Sequence, residues 1–207
     1  MSRLRLGVLV SGSGTNMQAI LDASLQNRIP VEVAVVLSNR PKALALERAR
    51  KAGVPIEIVS HRSKDRQTFE KELVDKLRTH KVECVALAGF MRLLSGEFLS
   101  AFPGRVINIH PSLLPAFPGM NAQRQALDYG VKFTGCTVHF VDEGEDSGPI
   151  IAQAIVPVLD SDDEEALRKR ILEQEHRLYP WVLGLLAENR IQMKDCRVLV
   201  DTDYGGS

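Results

Sequence analysis

Short apolar runs recur along the first half of the chain, at Leu6–Val10, Val31–Leu37, Ile56–Val59, Val82–Ala88 and Val106–Ile109. A strand with one wet face alternates apolar and polar side chains. A continuous β-branched run such as Val31–Leu37 suits a strand covered on both faces. The stretches between the runs have helical spacing. Met17, Ile20, Leu21 and Leu25 share one side of a helix over Asn16–Gln26, and Phe69, Leu73, Val74 and Leu77 do so over Thr68–His80. Ala43–Ala52 reads as a helix closed by Gly53, and Leu94–Phe102 as a short one stopped by Pro103-Gly104. Strand, helix and strand in repetition imply right-handed crossovers and a parallel sheet.

The pattern changes after His110. Pro111–Gly119 holds three prolines and cannot be regular structure. Gln123–Tyr129 reads as a helix. Phe133–Val141 and Ile150–Val158 read as two antiparallel strands joined by the polar loop Asp142–Pro149. Asp160–Asp163 is positioned to cap a long helix reaching about Asn189, and Ile191–Val200 reads as a small hairpin. The expected fold class is α/β: a Rossmann-like open sheet, parallel in its N-terminal half, with antiparallel strands in the C-terminal half and a long C-terminal helix. The 207 residues suit one domain.

Composition narrows the partners. The chain has 26 basic and 26 acidic residues, so its formal net charge is zero. That balance gives no polyanion-binding surface, and no nucleic-acid partner is expected. The apolar runs are shorter than a membrane span, and the first residues lack the long apolar core of a signal peptide. Cys84, Cys136 and Cys196 lie far apart and read as reduced, packed thiols of a cytoplasmic protein. No metal-ligand spacing is present, so no metal is expected.

Two segments carry chemistry. The first is Ser11-Gly-Ser-Gly-Thr-Asn16, between the first strand and the first helix. Glycines let a backbone turn sharply, and a helix N-terminus offers unpaired N–H groups and a partial positive charge. Together these make an anion site, although such a loop alone is also an ordinary turn. A dinucleotide fingerprint needs a glycine where Met17 stands and an acid near Ser38-Asn39-Arg40; a mononucleotide P-loop needs Gly-Lys-Ser/Thr. A phosphate monoester therefore fits better than NAD or ATP.

The second segment is Asn108-Ile-His-Pro-Ser-Leu-Leu-Pro115, at the end of a strand run. Residues two apart in extended backbone face one side, so Asn108 and His110 point into one crevice at the carboxyl edge of the sheet. An amide donor beside an imidazole, with no nucleophilic Ser or Cys at elbow spacing, suits direct acyl transfer. Asn108 would donate to a developing oxyanion and His110 would act as general acid. The acidic loop Asp142–Pro149 supplies candidate carboxylates to orient the histidine.

With Ala88-Gly-Phe-Met-Arg92 upstream and Asp146-Ser-Gly-Pro149 downstream, Asn108–Pro115 resembles the formyltransferase family that uses 10-formyltetrahydrofolate. The resemblance runs from Leu6 to about Leu186. Ser11–Asn16 and Gln174-Glu-His-Arg-Leu-Tyr-Pro180 are similar to the members that act on glycinamide ribonucleotide. The resemblance implies formyl transfer from 10-formyltetrahydrofolate to the amine of 5'-phosphoribosylglycinamide, in purine synthesis, with no NAD. It implies catalytic roles for Asn108, His110 and Asp146. It assigns Gly12, Ser13, Gly14, Thr15, Asn16 and Glu175 to the ribonucleotide, and Arg66, Met91, Arg92, Leu93, Leu94 and Asn108 to the folate. The family more often has Asn where Ser13 stands, and relatives carry a cis bond at the position of Leu114-Pro115. On this reading 1–110 is a phosphate-binding βαβ half and 111–207 a folate and catalytic half, in a monomer or weak homodimer. Relatives that hydrolyse formyltetrahydrofolate usually add an N-terminal regulatory domain, and those that formylate methionyl-tRNA add a basic C-terminal one; neither is expected here. A third rival is a binding module without turnover.

Overall fold

The computed structural model describes residues 3–194 and 197–201. Cys196 lies outside them. The strands are β1 (Leu4–Val10), β2 (Val31–Ser38), β3 (Ile56–Ile58), β4 (Cys84–Leu87), β5 (Val106–His110), β6 (Phe133–Phe140) and β7 (Ile150–Pro157), with a small hairpin β8 (Ile191–Lys194) and β9 (Arg197–Val200). The helices are α1 (Thr15–Leu25), α2 (Leu44–Lys51), α3 (Arg66–Thr79), α4 (Gly96–Ser100), α5 (Ala122–Tyr129) and α6 (Glu164–Ala187). The main sheet runs β3-β2-β1-β4-β5-β6-β7. Pairing is parallel from β3 to β5 and antiparallel for β5–β6 and β6–β7.

The order reverses direction after β3: the chain steps from β1 outward to β3, then crosses back to β4. Right-handed crossovers therefore place α1 and α2 on one face and α3 and α4 on the other. The core divides accordingly. Met17, Ile20 and Leu21 of α1 and Val182, Leu183 and Leu186 of α6 pack on one face, while Phe69, Leu73 and Leu77 of α3 and Phe98 of α4 pack on the other. Each such side chain contributes about 1.5–3 kcal/mol by leaving water. A smaller cluster of Ala126, Cys136, Val156, Leu167 and Ile171 seats α5 and α6 against β6 and β7.

Some elements are shorter than their apolar runs. The helix expected over Leu94–Phe102 spans only Gly96–Ser100, because Ser95 accepts the Phe98 N–H and starts the helix after itself. Val82 is not in β4: its N–H closes the end of α3 on the Leu77 carbonyl. The long helix begins as expected, with Asp163 accepting the Ala166 N–H at 2.7 Å, and runs through Pro180. Tyr179, fully buried on it, donates to the carbonyls of Leu87 (2.9 Å) and Ile107 (3.1 Å), tying α6 to the ends of β4 and β5.

Candidate active site

In an open α/β sheet the strand order reverses where two neighbouring strands send their connections to opposite faces, and a crevice opens outside their carboxyl ends. Here those strands are β1 and β4. A cavity of about 530 Å³ lies there, a size suited to a small molecule. Its wall takes Gly12–Asn16 from the loop after β1, Leu87–Leu94 from the loop after β4, Asn108–Pro111 from β5, His139 from β6, and Asp142 and Gly144–Asp146 from the β6–β7 loop. Arg168, Ile171, Leu172 and Glu175 complete it from α6.

Asn108 and His110 face one side, as their spacing requires, and Asp146 reaches both. The Asp146 Oδ2 lies 3.1 Å from His110 Nδ1 and accepts the Gly119 N–H at 2.9 Å. Its Oδ1 accepts from Asn108 Nδ2 at 3.3 Å and lies 3.6 Å from His139 Nε2. Burial would raise the Asp146 carboxyl, but the hydrogen bonds from His139 and Gly119 and the charges of His110 and His139 outweigh it and hold it below its ordinary value of 3.8. The carboxylate thus stays ionised against the imidazole. His110 Nε2 meets the Phe117 carbonyl at 2.8 Å. Both ring nitrogens therefore face oxygen acceptors, and only the imidazolium can donate to both.

The prolyl loop that presents these partners is pinned from β6 and β7. Thr137 Oγ1 donates to the Ser112 carbonyl at 2.7 Å and accepts from the Leu114 N–H at 3.0 Å. Gln153 Nε2 donates to Thr137 Oγ1 at 3.0 Å and to the Leu114 carbonyl at 2.9 Å. The Leu114-Pro115 bond is cis.

The Asn108 amide differs from its expected setting. Its Nδ2 donates to Asp146 Oδ1 and also lies 3.3 Å from His139 Nε2. His139 Nδ1 lies 2.8 Å from the Phe140 carbonyl, which leaves Nε2 between the Asn108 amide and Asp146 Oδ1: a neutral ring protonated on Nδ1 accepts there, and an imidazolium donates to Asp146. Donation from Asn108 to an oxyanion requires an N–H of this amide to be redirected.

At the cradle, α1 starts from Gly14 in left-handed conformation (φ 72°), with no side-chain cap. A β-carbon on Gly14 would lie 2.5 Å from the Ala45 β-carbon, so glycine is needed there for both space and conformation. At Gly12 nothing lies within 4 Å, and no such need exists. Asn16 Nδ2 donates to Glu175 Oε2 at 2.8 Å, while Asn16 Oδ1 is buried without a partner. Burial pushes the Glu175 carboxyl up, against the Asn16 hydrogen bond and the charge of Arg168, which lower it.

Of the residues expected at the folate, Met91, Arg92, Leu93, Leu94 and Asn108 line the cavity; Met91 and Leu93 are exposed and Leu94 is buried. Arg66 does not line it. Arg66 Nε instead pairs with buried Glu70 at 3.0 Å, and Glu70 also binds the Ser95 N–H and hydroxyl. The Arg92 guanidinium sits over the Phe69 ring, 5.6 Å from its centre. Sequence reasoning missed His139 and Arg168, and it named Ser11 only as the start of the anion-binding loop. His139 is one of three buried polar residues in β6, with Thr134 and Thr137, and only its register opposite Asn108 marks it. Among the described residues, no group of three His, Cys, Asp or Glu side chains is placed to hold a metal ion. No helix among the described residues is long and apolar enough to cross a membrane.

Residues 4–183 match the family model described as Formyl transferase. The phosphoribosylglycinamide formyltransferase of Escherichia coli (strain K12) is 42% identical over 199 residues, covering 96% of this chain and 94% of its own length. The trifunctional purine biosynthetic protein adenosine-3 of Drosophila pseudoobscura pseudoobscura is 49% identical over 92% of this chain, and the chain spans 14% of that protein's length. Among solved structures, glycinamide ribonucleotide transformylase 1 from Symbiobacterium toebii superposes with a TM-score of 0.94 at 55% identity, covering 96% of this chain and 94% of that one.

Proposed function

We propose, from the premise that this chain belongs to the formyl transferase family, that it moves the formyl group of 10-formyltetrahydrofolate to the amine of 5'-phosphoribosylglycinamide, a step of purine synthesis. The observation that carries this reading is the convergence of Asn108, His110 and Asp146 in the wall of the cavity that also holds the Gly12–Asn16 cradle. The ribonucleotide phosphate sits on Gly12, Ser13, Gly14, Thr15 and Asn16 at the start of α1, with Glu175 beside it. The folate lies against Met91, Arg92, Leu93, Leu94 and Asn108, and Arg66 reaches it only by leaving Glu70.

The amine nitrogen attacks the formyl carbon, the carbonyl electrons move onto oxygen, and a tetrahedral species forms. His110 Nε2–H, turned from the Phe117 carbonyl, and one redirected Asn108 N–H stabilise the oxyanion; a well-placed donor contributes roughly 2.7–4 kcal/mol. Collapse breaks the bond from carbon to N10, which takes a proton from His110, and the neutral imidazole then takes the proton that the attacking amine loses, so His110 ends as it began. Asp146 holds the imidazolium and keeps its Nδ1–H occupied. No metal and no NAD take part, and the protein acts in the cytoplasm as a monomer or weak homodimer without nucleic-acid or membrane partners.

The test is to mix the purified protein with 10-formyltetrahydrofolate, with and without glycinamide ribonucleotide. Tetrahydrofolate and the N-formyl product should form together, only when both substrates are present, and at a rate unchanged by prior dialysis against EDTA. Formate release at equal rate without the ribonucleotide would identify a hydrolase instead. Loss of activity on chelation, restored by a metal, would overturn the metal-free mechanism.

A further inference from the structure

The loop after β1 and the loop after β4 leave the sheet in different directions. Their last backbone bonds are Ala88 N–H to the Leu9 carbonyl at 2.9 Å and Ser11 N–H to the Gly89 carbonyl at 3.0 Å. Beyond these, one side chain bridges them. The Ser11 hydroxyl, on a residue only 2% exposed, accepts the Met91 N–H at 3.0 Å and donates its own proton to Asn39 Oδ1 at 2.7 Å. Asn39, 3% exposed, stands just past β2, and its Nδ2 is 3.4 Å from His61 Nδ1, beyond β3. The result is a side-chain ladder, His61–Asn39–Ser11–Met91, that extends the sheet past its last backbone bonds across the ends of β3, β2, β1 and β4.

We propose that the Ser11 hydroxyl is a positioning group that couples the loop after β4 to the loop after β1, so that ligands on the two loops are held in fixed register. The choice of ligands rests on the formyl-transfer reading; the mechanical link does not. Ser11 adjoins the Gly12–Asn16 cradle directly, and Met91 opens the segment that lines the cavity on the other side. A hydroxyl is the smallest side chain that accepts and donates together, and here both capacities are used on buried partners. Two-substrate transfer is sensitive to such a link. Reacting atoms must approach within about 3–3.5 Å, and about 1 Å of misplacement costs roughly 10²-fold in rate.

Two measurements on Ser11→Ala test the link, with Asn39→Ala as the milder variant, since it keeps the Met91–Ser11 bond and removes only its anchor. The first is amide exchange by NMR, with inorganic phosphate as the probe of the cradle. In the wild-type protein saturating phosphate should slow exchange at Met91 at least about fivefold, by restricting local opening. In Ser11→Ala phosphate should still bind, within threefold of the wild-type Kd, and leave Met91 exchange unchanged. The second is kinetic. Ser11→Ala should lower kcat at least about tenfold with both KM values within about threefold, and Ser11→Ala/Asn39→Ala should be no worse than Ser11→Ala alone. A purely structural role would lower thermal stability without separating kcat from KM or abolishing the phosphate effect. Phosphate that leaves Met91 exchange unaffected in the wild type, or slows it equally in Ser11→Ala, overturns the proposal, as does a variant impaired only in KM. A wild-type protein with no ribonucleotide formylation would overturn the functional reading, while the exchange measurement still decides the link.

Discussion

Asp146 commits both carboxylate oxygens inside the protein, one to His110 and Gly119 and the other to Asn108, with His139 close by. Asp146→Asn keeps the shape but removes the negative charge that faces His110 Nδ1. It should lower kcat by about 10²–10⁴-fold, the range of general acid–base catalysis, with smaller changes in KM. The same substitution should alter acid stability. A carboxyl held below its ordinary value of 3.8 adds stability that is present above that value and lost as pH falls through the lowered one. Unfolding curves between pH 6 and pH 2 should show this acid-dependent loss in the wild type and less of it in Asp146→Asn; identical curves would mean the carboxylate is not held by these partners. Glu175 has the opposite sign. Its carboxyl is raised above 4.5 by burial, so the stability linked to its protonated form is present below 4.5 and fades as pH rises through the raised value. Glu175→Gln can still accept from Asn16 and avoids a buried charge. At pH 7 it should melt a few degrees higher than the wild type, a difference that closes toward pH 4, while KM for the ribonucleotide rises and KM for the folate does not. A lower Tm at pH 7 would show that the ionised carboxylate stabilises the site. Asn108 and His110 were legible because period two puts them on one face at a strand end. His139 was not, because its meaning depends on the pairing of β6 with β5, and no local spacing records that register.

Among the elements, α1 carries the clearest test. Gly14 is its N-cap, left-handed and packed against α2, so Gly14→Val meets two obstacles at once: a strained φ costing about 1–3 kcal/mol, and a β-carbon inside contact distance of Ala45. The start of α1 should shift, raising KM for the ribonucleotide at least tenfold and lowering Tm by several degrees. Gly12→Ala, where nothing crowds the β-carbon, should preserve Tm. Equal rises in KM for both substrates in Gly14→Val would mean that the loop is a structural turn only, or that its displacement reaches the folate segment through Ser11. Helix and strand identities followed from spacing almost throughout, because each apolar stripe faces one side of the sheet. Boundaries did not, since they depend on single bonds such as Ser95 to the Phe98 N–H. Arg66 shows the same limit: its place on α3 is fixed by a helical pattern, but its side chain answers to buried Glu70, which looks from sequence like any surface acid on that helix.

For the molecule as a whole, alternation of strand and helix prescribes a parallel sheet, but the position of its reversal rests on which face each crossover covers. That choice places the cradle beside the Met91 segment and gives the site residues from both 1–110 and 111–207. A site assembled this way needs the sheet to behave as one cooperative unit, and two buried thiols can report on it. Cys84 sits in β4, near the centre of the sheet, and Cys136 in β6, next to the edge strand β7; neither side chain is exposed to solvent. Burial pushes both thiols up to about 12, so the reactive thiolate is scarce as well as hidden. Alkylation of either cysteine should therefore require opening of the fold. If the sheet opens as one unit, iodoacetamide should label Cys84 and Cys136 at equal low rates near neutral pH, both slowed together by saturating folate and ribonucleotide, since ligands that bind only the folded state suppress opening in proportion to their occupancy. Mass spectrometry of the peptides that carry each residue reads the two rates separately. Faster labelling of Cys136 would show that β6 and β7 open apart from the parallel strands, and the 111–207 half would then be a separately unfolding unit.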